Sequence, residues 1–182
     1  QADTTLAGKR DLVVLGAVYA LGLRRNEVAT LRFPDNVDFG TGLVTIIGKG
    51  NKERAIPMPE IFEEWVLDYL DVRGEAPGPL INQLKRTAQG LKLLENGISS
   101  QLVYTICVNR CRGYSDTHFT PHDFRRTFGT ELNENNVDLT TVAEFLGHAS
   151  VSTTHKYIRP RDGEKQKAQI SNLSFGKKAE RF

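Results

Sequence analysis

The chain has 182 residues, of which 39% are hydrophobic and 25% charged. That is the make-up of a soluble globular protein with one well-buried domain, and no run approaches the ~18 apolar residues of a membrane span. The formal net charge is only +2, less than a dedicated nucleic-acid binder often carries. Phosphate contact would have to come from local basic patches. Lys49, Lys52 and Arg54 form one, and Arg110, Arg112, Arg125 and Arg126 another.

The N-terminus, Gln1 to Thr5, has no signal-peptide pattern and no starting methionine. The expectation is therefore a fragment or a processed chain. Leu12, Leu15, Val18 and Tyr19 recur at helical spacing and predict a helix from Asp11 to Leu21, stopped by Gly22. A short helix follows from about Arg25 to Arg32, with Pro34 beyond it. The period then changes. Leu43 to Ile47 is β-branched and reads as a strand, and Gly48 to Glu53 as a turn. Arg54 to Met58 is the returning strand, and Pro57 predicts that it lies at an edge. Val37 to Phe39 is a candidate third strand. These segments predict a small antiparallel sheet within a mainly helical, α+β protein.

Glu60 to Val72 reads as an amphipathic helix and Gly74 to Pro79 as a loop. Leu80 to Gly97 fits neither period clearly. Ser99 or Ser100 can cap a helix running to about Cys111. Thr120-Pro121-His122-Asp123 opens the clearest helix, with Thr120 as N-cap, Pro121 at N1 and Asp123 at N3; it should run to about Asn133. Asp138 caps the next helix and Gly147 ends it. Ser150 caps a last short helix bearing Thr154 and Tyr157. From Pro160 to Phe182 the chain is polar, with Ile170, Leu173 and Phe175 as its few apolar residues.

The two cysteines, Cys107 and Cys111, lie four apart in a predicted helix, so no disulfide framework is expected. With His118 and His122 they imitate a zinc-ligand set. The gap from Cys111 to His118 is far shorter than the ~12 residues of a finger, so no metal is expected. The cysteines read as free thiols in a reducing cytoplasm. No P-loop and no acidic cluster for paired metal ions stands out, against a nucleotide-driven enzyme or a two-metal nuclease.

His122 and Arg125 share a face at the start of a helix, where free backbone N–H groups and the helix dipole favour an anion. Arg125 could grip that anion with a forked pair of hydrogen bonds. His148 follows a helix-ending glycine. Arg24 precedes Glu27 by three, either as a surface ion pair or with Glu27 aiming the guanidinium. Lys49 stands between two glycines at a hairpin tip, where backbone and phosphate can approach closely. Taken singly, each has an ordinary reading: a solvated face, a dipole contact, a packed aromatic at Tyr157.

The ordered set decides between these readings. Gly22-Leu23-Arg24-x-x-Glu27, Gly48-Lys49-Gly50-Asn51-Lys52-Glu53-Arg54, Pro121-His122-Asp123-Phe124-Arg125, Leu146-Gly147-His148 and then Tyr157 strongly resemble the catalytic domain of tyrosine recombinases, the phage-integrase family, over about Asp11 to Arg159. The hairpin and the Thr-Thr before the tyrosine look especially Xer-like. The resemblance implies the DNA breaking-rejoining fold, with residues 1–159 as catalytic domain; 160–182 is either a tail that contacts a neighbouring protomer through Ile170, Leu173 and Phe175 or a frayed C-terminus. It also implies an N-terminal core-binding domain that this chain lacks.

By the same resemblance, Arg24, Lys49, His122, Arg125 and His148 surround the scissile phosphate and Tyr157 is the nucleophile. Arg24 and Arg125 clamp the non-bridging oxygens. His122 is the candidate base for a tyrosine whose ordinary pKa is near ~10. His148 bonds the phosphate or positions the tyrosine, and Lys49 protonates the departing 5′-oxygen. Glu27 supports Arg24, and Lys52, Arg54 and Arg126 are expected to touch DNA. Family members often carry His where this chain has Arg126. The implied partner is double-stranded DNA, held by a homotetramer of the full-length protein in the cytoplasm, with no cofactor and no membrane. Integration or excision of a mobile element is the leading role. Xer-type dimer resolution, a type IB topoisomerase and a catalytically silent DNA-binding domain are the alternatives.

Overall fold

The computed structural model of the chain describes residues 5–48, 52–112, 119–148 and 150–155. Thr5 caps the first helix, α1 (Leu6–Tyr19), accepting a hydrogen bond from the Gly8 N–H at 3.1 Å. That cap starts the helix before the expected Asp11. Val13, Val14, Ala17 and Val18 are fully buried along it. Gly22 then takes a left-handed conformation (φ +60°), and a Cβ there would strike the Phe128 ring. The chain turns at this point because only glycine fits both the backbone angle and the ring beside it.

Next comes α2 (Arg25–Thr30), which ends before the expected Arg32 because Leu31 adopts ψ 136°. Arg32–Phe33 instead form strand β1, paired much later with β5 (Gly78–Pro79). Strands β2 (Val37–Asp38), β3 (Leu43–Ile47) and β4 (Glu53–Pro57) make an antiparallel sheet in the order β2-β3-β4. Pro57 does lie on an edge strand. The register pairs Val44 with Ile56 and Ile46 with Arg54. Val44, Ile46 and Ile56 are buried, so this face of the sheet is the core face, and strand alternation puts Arg54 on it too.

Helix α3 (Glu60–Arg73) buries Phe62, Val66, Tyr69 and Leu70 against α1. The stretch of unclear period folds as a hairpin of β6 (Asn82–Thr87) and β7 (Gly90–Gly97). Its register shifts between Asn82 and Leu84, and that break in alternation is why its sequence shows no clean period of two. Helix α4 (Ser100–Cys111), capped by Ser99, joins α1 through charge: Arg110 Nε meets Asp11 Oδ2 at 2.8 Å, while Arg10 bonds Asp11 Oδ1. Helices α5 (Pro121–Glu134), α6 (Leu139–Leu146) and α7 (Val151–His155) complete the described fold. Phe128, Val142 and Leu146 form a second small core between α5 and α6. Among the described residues no helix is long and apolar enough to cross a membrane.

Candidate active site

The C-terminus of α6 organises the site. A helix end leaves carbonyls without partners and gathers partial negative charge. Here three successive carbonyls are each taken by a different arginine. Arg54 Nε donates to Phe145 O at 2.9 Å, Arg125 Nη2 donates to Leu146 O, and Arg24 Nη2 donates to Gly147 O at 2.9 Å. The three arginines come from β4, α5 and the start of α2, so one helix end collects residues distant in sequence. Gly147 makes this approach feasible. It is left-handed (φ +58°), and a Cβ would lie 2.9 Å from Arg54 Nη1 and 3.3 Å from Arg24 Nη1.

Glu27 holds two of these arginines together. Arg54 grips it in a fork, Nη1 to Oε1 at 3.1 Å and Nη2 to Oε2 at 2.8 Å. Arg24 gives Nη1 to Oε1 at 3.0 Å and its backbone N–H to Oε2 at 2.8 Å. Burial alone would raise the Glu27 carboxyl, but the bonds from Arg54 and Arg24 outweigh it and hold the group below the usual range. Glu27 thus pairs with the Arg24 guanidinium and at the same time accepts from the Arg24 backbone N–H. The Arg24 side chain stays 44% exposed, against 11% for Arg54.

Helix α5 supplies the opposite wall. Thr120 donates through its N–H (2.9 Å) and hydroxyl (2.6 Å) to Asp123 Oδ2, which fixes the first turn. Burial opposes ionisation of Asp123, yet these bonds, with His122 and Arg126 nearby, pull its carboxyl down. From that turn Arg125 runs inward, only 3% exposed, and also donates through Nη1 to Gly22 O. His122 stays exposed. A cleft of about 330 Å³ is lined by Arg24, Arg25, Tyr104, Thr120, His122 and Arg125. Three arginines and a histidine line it beside the N-terminus of α5, with Leu23 and Pro121 as apolar neighbours; guanidinium groups next to a helix N-terminus suit an anion.

His148 follows Gly147 directly, and its Nδ1 lies 2.9 Å from the hydroxyl of Thr154 on α7. Burial, then the charges of Arg125, Arg24, Arg54 and His122, lower its pKa from 6.5 to about 4. The ring is therefore neutral at physiological pH.

The fold thus gathers Arg24, Glu27, His122, Arg125 and His148. Lys49 and Tyr157 lie outside the described residues. Lys52 and Arg126 are exposed. Arg54, expected to touch DNA, turns inward, its guanidinium bonded to Glu27 and Phe145 O. Its position two residues before the buried Ile56 was the sequence signal for that. Arg25 and Tyr104 join the cleft with no such signal, because the packing of α2 on α4 is tertiary. The cysteines are free, Cys107 buried with its thiol pushed up to about 12 by burial. His118, the third member of the apparent zinc set, is outside the described residues.

Residues 1–164 match the family model described as the phage integrase family. The tyrosine recombinase XerD of Neisseria meningitidis serogroup A is 36% identical over 150 residues, covering 82% of this chain and 50% of the relative. The tyrosine recombinase XerC of Staphylococcus carnosus is 32% identical over 171 residues, covering 94% and 56%. The chain thus spans about half the length of the relatives it matches. Among solved structures, XerA recombinase superposes with a TM-score of 0.72 at 21% identity, over 91% of this chain and 59% of that one. XerH site-specific recombinase, bound to its palindromic difH substrate after cleavage, gives 0.70 at 23% identity, over 92% and 46%. These likenesses establish the shared catalytic-domain fold.

Proposed function

The chain belongs to the phage integrase family, and from that premise we propose that it is the catalytic part of a site-specific DNA recombinase. The observation that carries the proposal is the convergence of Arg24, His122 and Arg125 on one basic cleft, with neutral His148 held in the same electrostatic field.

Tyr157 attacks a backbone phosphorus with His122 as base. The bond to the 5′-oxygen breaks, Lys49 gives that oxygen its proton, and a 3′-phosphotyrosyl intermediate remains with a free 5′-hydroxyl. Arg24 and Arg125 neutralise charge as it builds on the non-bridging oxygens, and rigid backbone anchors mean that neither must reorganise to do so. Attack by the 5′-hydroxyl of another strand reverses the step and exchanges partners. Phosphodiester energy is conserved throughout, so the reaction needs no nucleotide.

Double-stranded DNA is the partner in this reading, and exposed Lys52 and Arg126 are its candidate backbone contacts. The full-length protein acts as a homotetramer in the cytoplasm. Residues 1–159 are its catalytic unit, and 160–182 a tail reaching a neighbouring protomer. Integration or excision of a mobile element is the leading role; the XerC and XerD relatives favour dimer resolution as the second.

A suicide DNA substrate, nicked beside the cleavage position, tests the chemistry. The chain should form a covalent protein–DNA adduct that disappears in Tyr157→Phe. An adduct that persists in the variant removes Tyr157 as nucleophile, and a full-length protein that binds its site without forming one is a silent DNA-binding protein.

A further inference from the structure

Thr154 is fully buried, and the one hydrogen-bond partner of its hydroxyl among the described residues is His148 Nδ1, at 2.9 Å. Two proton arrangements fit that distance. If Nδ1 carried the ring proton, it would donate to Oγ1, and the buried hydroxyl proton would have no acceptor among the described residues. A buried donor left unsatisfied loses its hydration with nothing in return, which disfavours this arrangement. If instead the hydroxyl donates to Nδ1, both groups are satisfied. A neutral imidazole that accepts at Nδ1 carries its single proton on Nε2.

We propose that Thr154 is a positioning residue: its hydroxyl holds His148 as the Nε2–H tautomer and so makes the ring a hydrogen-bond donor through Nε2. The ring is kept neutral by burial and by the surrounding Arg125, Arg24, Arg54 and His122. A charged imidazolium would donate from both nitrogens and need no such control. A neutral one has a single N–H, and its placement decides whether it can serve an anion or would instead point a lone pair at it. That the donor serves a phosphate oxygen rests on the recombinase reading above. Thr154 also lies three residues before Tyr157, so the same bond ties the helix leading into the proposed nucleophile to the loop after α6.

Ring-nitrogen shifts of the full chain labelled with nitrogen-15 histidine, read by long-range correlation near neutral pH, test the assignment. His148→Gln identifies the signal. Wild type should show neutral His148 as Nε2–H, Thr154→Ser should keep that pattern, and Thr154→Val should lose it. An Nδ1–H ring in wild type, or an unchanged tautomer in folded Thr154→Val, overturns the proposal. If the valine variant fails to fold, the wild-type and serine spectra still decide. In the adduct assay Thr154→Val should slow cleavage by about tenfold, the worth of one hydrogen bond, with Thr154→Ser recovering most of it. Unchanged cleavage with a changed tautomer removes the donor role. A full-length protein that binds its site and forms no adduct sinks the recombinase reading, while the ring shifts judge Thr154 independently.

Discussion

Arg54 makes three hydrogen bonds with one guanidinium, two to Glu27 and one to Phe145 O, at a position 11% exposed. Lysine keeps the charge but cannot reproduce a planar fork plus a third donor. Arg54→Lys should therefore leave Glu27 with a single-point partner and loosen both Arg24 and the end of α6. The expected loss is about 1–2 kcal/mol in denaturant unfolding, together with slower adduct formation by a protein that remains folded. Wild-type stability and cleavage in this variant would mean that Arg24 alone suffices to hold Glu27. Arg24, His122 and Arg125 are legible in the sequence because their order and local spacing survive folding, whereas Arg25 joins the cleft only through tertiary packing. The inward turn of Arg54 is not legible from the basic hairpin alone; it follows from strand parity with buried Ile56. Thr154 was noted only as part of a motif, since nothing in its spacing reveals a bond to a side chain six residues earlier.

Helix α6 acts as a connector whose C-terminal carbonyls gather arginines from three other elements. Gly147 is the residue this depends on, and Gly147→Ala tests it. An L side chain at φ +58° costs roughly 1 kcal/mol or more, and the added Cβ would press on Arg54 and Arg24 at 2.9 and 3.3 Å. The variant should lose about 1–2 kcal/mol by urea unfolding and cleave more slowly than its stability alone explains. Full cleavage would show that the three-carbonyl cluster tolerates displacement. Element boundaries are readable where a side chain caps them, at Ser99, Thr120 and Asp138, or where a left-handed glycine stops the helix, at Gly147. They were missed where tertiary partners decide. The early start of α1 depended on a Thr5 cap outside the apolar stripe, and β1 exists only because β5 returns to pair with it across more than forty residues. The β6–β7 hairpin was hidden by its register shift.

At the scale of the whole molecule, burying a basic cluster links folding to pH. His148 titrates at about 4 in the folded chain against an ordinary 6.5. Between those values the unfolded chain binds a proton that the folded chain excludes, so stability falls as the pH drops through this window and is unaffected above it. Glu27 works in the same direction at lower pH: its carboxyl is held below 4.5 when folded, and the stability it contributes is lost as the pH falls through that depressed value. Acidification should therefore destabilise the chain in two successive stages, the histidine stage first and the carboxylate stage after it. Melting temperature measured across this range should be level near neutrality and decline from about pH 6.5 towards 4. His148→Gln removes the ionisable ring from the cluster and should flatten the first stage while leaving the second in place, isolating this ring from the three other histidines. An undiminished decline in the variant would mean that His148 titrates normally in the fold. The surrounding arginines would then not hold it neutral, and the ring would carry a proton on both nitrogens instead of the single N–H assigned to it.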